Sequence, residues 1–127
     1  MKTALKSLGR RREGTTAVEF ALVAPVLFLI IFGGVEFGDL LWTQSALHFA
    51  VQEAARCASV TPATCGTASQ IAAYAASETT GLNISSSAFT ATTPSCGHLV
   101  TASYPYTFVA SGLLPFTPTL TAQACFR

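Results

Sequence analysis

The pattern of apolar and polar positions changes character near residues 14, 35 and 58. From Phe20 to Val35 sixteen residues (FALVAPVLFLIIFGGV) carry no charge, and carried back to Thr15 the run is interrupted only by Glu19. About twenty apolar residues in a helix match a bilayer core of roughly 30 Å. The pattern therefore predicts a transmembrane helix over 15–35. Beyond it, Phe37, Leu40, Leu41, Leu47, Val51 and Ala54 recur at spacings of three, four and seven, while Asp39, Thr43, Gln52 and Glu53 fall largely off that stripe. This predicts an amphipathic stalk helix over 36–58 that continues the span and projects outside the membrane. Pro25 removes one amide donor and should kink the helix about a third of the way along. Gly33, Gly34 and Gly38 soften the same region.

From residue 59 the period shortens. Thr67-Ala-Ser-Gln70 has the form of a capping box, opening a short helix over 67–80 that Gly81 closes. Its buried face should carry Ala68, Ile71, Ala72 and Ala75. Three strand-like stretches follow, at 88–93, 98–110 and 117–127. In the second, Val100, Ala102, Tyr104, Tyr106 and Phe108 share a face by period two. Pro105 lacks a ladder proton, so this strand should be an edge or carry a bulge. The expected fold class is α+β: a long transmembrane and stalk helix bearing a small exported head (59–127) of one short helix and a three-stranded antiparallel sheet.

A head of that size has little core and gains from cross-links. Four cysteines, Cys57, Cys65, Cys96 and Cys125, all follow the apolar run. Three pairings are open. Cys57–Cys65 with Cys96–Cys125 is the expected one, because the others tie the helix top to the sheet twice. A metal site is the rival reading, but no C-x-x-C occurs and Cys96-Gly-His98 is a weak ligand pair, so no metal is expected.

Charge orients the chain. Only 10% of residues are charged, against roughly 25% in a typical soluble protein. The formal +1 is a sorted sum: Lys2, Lys6, Arg10, Arg11 and Arg12 against Glu13 give the first fourteen residues +4, and the remaining 113 carry −3. Cationic flanks stay cytoplasmic, which places the N-terminus inside and the body outside. A cleaved secretory signal would need small neutral residues after the run, where Gly33-Gly34-Val35-Glu36-Phe37-Gly38 stands. No phosphate loop, basic nucleic-acid patch or paired carboxylates outside the membrane appear, and His48 and His98 sit near no nucleophile motif. Neither an enzyme nor a cofactor is expected.

A glycine follows the basic leader, and a carboxylate stands five residues on: Gly14-Thr15-Thr16-Ala17-Val18-Glu19. This resembles a type IV prepilin leader. The longer string Gly-Thr-Thr-Ala-Val-Glu-Phe-Ala-Leu-Val-Ala-Pro (14–25), closing on Gly34-Val35-Glu36-Phe37, is similar to the TadE-like family of tight-adherence (Tad) pilus systems. The resemblance implies a leader (1–14) cut between Gly14 and Thr15 by a prepilin peptidase. It further implies a minor pilin or pseudopilin in the inner membrane, with other pilin-like subunits, the assembly machinery and membrane lipid as partners. Pilus biogenesis, surface adhesion and biofilm formation are the implied roles. Thr15 departs from the Phe or Met that begins many type IV pilins, which argues against the ordinary type IV class more than against the Tad group.

Glu19 has a rationale of its own. A charged residue at mid-membrane costs about 2.5–3.5 kcal/mol on insertion scales, so it should have a partner. Cleavage would give Thr15 a free ammonium four residues away, on the same helix face. That ammonium, or a neighbouring subunit's, is the natural counter-charge. The alternative is an uncleaved single-pass protein carrying a periplasmic binding or scaffold head.

Overall fold

The computed structural model describes residues 2–112 and 115–127; the side chains of the basic leader lie outside what is described. The order is α1 (Lys2–Val60), α2 (Ala68–Glu78), a 3₁₀ turn (Ser86–Ala88), β1 (Phe89–Thr92), β2 (His98–Pro105) and β3 (Thr119–Phe126). The chain is α+β, as its patterning predicts. It divides into two compact units, residues 1–37 and 38–127.

The first unit is helical. It carries Pro25 inside α1 without a break in the assigned helix. From Val18 to Phe37 its large apolar side chains are about half exposed or more. No described residue of the unit covers them.

The second unit builds a core on the C-terminal part of α1. Thr43, Leu47, Ala50, Val51, Ala54, Ala55 and Ala58 are buried, at the three- and four-residue spacing of one helix face. Phe37 and Leu41, expected on the stripe, are 61% and 50% exposed. Leu40, Leu47, Val51 and Ala54 of the expected stripe lie in or against the core, and Thr43, expected off the stripe, joins them. Thr43 tolerates burial because its hydroxyl donates to the Asp39 carbonyl at 2.9 Å, leaving no unpaired polar group.

The sheet order is β1-β2-β3, antiparallel throughout. Register places Phe89, Ala102 and Ala122 in one row and Ala91, Val100 and Ala124 in the next. These residues share one sheet face, and Phe89, Val100, Ala102 and Ala122 are buried in the same core as Leu47 and Ile71. The order corrects the reading of Pro105: its strand is central, not an edge. Pro105 is the last residue of β2, where a missing amide proton costs least. The strand therefore ends there instead of running to 110, and Tyr106 N–H donates to the Pro118 carbonyl at 2.9 Å.

The capping box forms: Gln70 N–H donates to the Thr67 hydroxyl, and the Gln70 side chain accepts from the Thr67 N–H at 3.1 Å. Helix α2 closes earlier than expected. Thr79 caps it, its N–H and hydroxyl both donating to the Ala76 carbonyl. Gly81 follows at φ +81°. Gly97, in the β1–β2 turn, has φ +120°, and a Cβ there would collide with the Phe126 carbonyl; only glycine fits.

Candidate functional site: the N-terminal half of the long helix

The disulfides are Cys57–Cys65, closing the turn after α1, and Cys96–Cys125, joining the β1–β2 turn to β3. The second unit is also bound by polar links from α1 to the strands. Gln44 donates to the Thr121 carbonyl at 2.8 Å, Ser59 to the Phe126 carbonyl at 3.3 Å, and the Tyr106 hydroxyl to Asp39 Oδ2 at 3.2 Å. None of these pairings was readable from the sequence, since each joins residues at least 67 positions apart. The C-terminal part of α1 is thus part of this unit's core.

Chemistry in the head is sparse. His48 is exposed and in contact with Gln44 at 2.9 Å. His98 is half-buried, its Nδ1 without a hydrogen-bond partner among the described residues. No group of three His, Cys, Asp or Glu side chains able to hold a metal occurs among the described residues. Tyr74 is held above its ordinary pKa of 10.0, first by burial and then by the Glu78 carboxylate.

The interest of the molecule lies in α1. Gly14, Thr15 and Glu19 are all exposed. Gly14 has no neighbour within 4 Å of where a Cβ would stand, and its φ is not positive. A glycine inside a helix costs roughly 1 kcal/mol relative to alanine. Among the described residues, neither packing nor backbone conformation requires it. Glu19 lies among exposed Val18, Phe20 and Leu22, and one turn from Thr15.

Among the described residues one helix is long and apolar enough to cross a membrane, which makes it a candidate membrane anchor beside the disulfide-bonded α+β unit. Residues 14–56 match the family model of TadE-like protein. That segment, 43 of the chain's 127 residues, is similar to the TadE-like family. The match opens on Gly14, includes Glu19 and Pro25, and stops one residue before Cys57. No curated protein and no solved structure matches the chain.

Proposed function

We propose that the chain is a minor pilin-like structural subunit of a Tad pilus, processed between Gly14 and Thr15 and acting in pilus biogenesis and surface adhesion. The observation that carries this reading is the position of Gly14. The TadE-like segment begins there, and the fold has no use for a glycine at that point. An exposed small residue between a +4 leader and an apolar run suits recognition by a prepilin peptidase, whose active site must admit extended backbone. In this reading the N-terminus is cytoplasmic, residues 15–35 span the inner membrane and the head lies outside. Glu19 then pairs with the new Thr15 ammonium, its own or a neighbour's, as apolar helices pack side by side. That pairing offsets the cost of holding a carboxylate in a low-dielectric surrounding.

The test is processing in cells that supply a prepilin peptidase. Wild-type chain should lose its leader, and Gly14→Ile should keep it while inserting equally well into the membrane. Cleavage of Gly14→Ile at the wild-type rate would remove the role given to this glycine. Wild-type protein that keeps its leader would favour the single-pass binding or scaffold alternative.

A further inference from the structure

We propose that the Trp42 face of α1 is a bilayer-contact surface, with the indole seated in the headgroup layer on the head side of the membrane. The inference rests on residues 15–35 being the membrane span. Trp42 is the chain's single tryptophan and is 67% exposed. Its neighbours Thr43, Leu47 and Ala50 point into the core, so Trp42, Ser45 and Phe49 look away from it at helical spacing. Between the two rings lies a mostly apolar hollow of about 290 Å³, bounded also by Ala46, Glu78 and Thr80. The indole N–H has no partner among the described residues.

A large apolar ring is poorly placed in water, even though water satisfies its N–H donor. At a membrane boundary, both ends of tryptophan are satisfied, and the residue is enriched there. The sequence distance agrees. Trp42 follows Val35 by seven positions, about 10 Å of helix at 1.5 Å each. Side chains on a helix lean towards its N-terminus, covering the turn before their own Cα. The ring therefore reaches back to about 5 Å beyond Val35, within a headgroup layer roughly 5–7 Å thick. Leu41, next to Trp42 in the same unit, is 50% exposed. Phe49 stands about two turns farther on and closes the hollow without reaching lipid.

Trp42 provides its own reporter. Full-length protein in phosphatidylcholine vesicles, at high lipid excess, is measured with lipids brominated near the headgroup or near the chain end. Emission should be blue-shifted from that of the denatured chain and quenched about twofold by the shallow bromines, less by the deep ones, as an interfacial ring requires. Water-like emission without quenching overturns the proposal. So does stronger quenching by the deep bromines. A blue shift without bromine quenching that disappears on lipid dilution also overturns it, assigning the face to a second copy of the chain. The double variant Phe28→Trp, Trp42→Phe reads the span separately. Deep quenching of that variant together with unquenched Trp42 sinks this inference alone; an unquenched Trp at 28 sinks the membrane span and the inference with it.

Discussion

Leu47→Ala probes the finding that the second half of α1 is core. Leu47 is 0% exposed and lies between Thr43, Ala50 and Val51 on the buried face. Truncating a fully buried leucine loses its transfer free energy and leaves a cavity that the surroundings only partly fill, at a cost of about 3–5 kcal/mol. Leu47 shares its core with Val51, Ile71 and Val100 as well as several alanines, so the full range applies. The unit of residues 38–127 should have a total stability of roughly 5–13 kcal/mol, given 0.05–0.15 per residue. The substitution would therefore remove about a quarter or more of it. At about 4–8 °C per kcal/mol for a domain of this size, the midpoint should fall on the order of 20 °C. Thermal and denaturant unfolding of a fragment beginning at Gly38 supplies the assay, with Gln52→Ala on the exposed face as the control, expected within about 0.5 kcal/mol. A loss below about 1 kcal/mol at Leu47 would mean that this segment is a stalk carrying the head, not part of its core.

Other consequences follow from the same geometry. The two disulfides close loops with sequence separations of 8 and 29, for which chain entropy gives about 2.5 and 3.6 kcal/mol. Replacing Cys96 and Cys125 by alanine should therefore cost about 1 kcal/mol more than replacing Cys57 and Cys65, and equilibrium unfolding in urea that reverses this order contradicts the assignment. Tyr74 binds its proton more tightly in the folded state, so the stability it contributes is complete below its unfolded pKa of about 10 and declines as pH rises through the higher folded value. Ring-resolved NMR titration should show Tyr74 ionising later than a model tyrosine, and Glu78→Gln should narrow the gap; an unchanged midpoint in that variant would remove the carboxylate as a cause. Glu19→Ala should leave leader removal intact yet reduce cross-linking to neighbouring subunits, and normal incorporation of the variant into filaments would show that the carboxylate has no assembly role.

Much of this architecture was legible in the residues. Local signals survived intact: the uncharged run, the Thr67–Gln70 capping box, and the alternation from Val100 to Tyr106 that marks the inward sheet face. The 14–25 string, which has no counterpart in the head, allowed the TadE-like segment to be recognised. Signals set by tertiary context did not survive as well. The buried face of α1 includes Thr43 and leaves Leu41 out, because a hydroxyl satisfied by the Asp39 carbonyl is inexpensive to bury. Pro105 suggested an edge strand, whereas its place at the end of a central one makes the missing donor harmless. The links from Asp39, Gln44 and Ser59 to the sheet region depend on approach between distant positions, which no periodicity encodes. Trp42 did have a signal, a lone tryptophan seven residues beyond an apolar run, and its meaning emerged only when the neighbouring residues proved to face inward.

The central claim concerns the bond between Gly14 and Thr15. Intact-mass analysis with N-terminal sequencing of the protein, purified from native membranes that contain an active prepilin peptidase, addresses it without any substitution. The account predicts a chain that begins at Thr15 and has lost its entire +4 leader. A chain that still begins at Met1 in those membranes would contradict it.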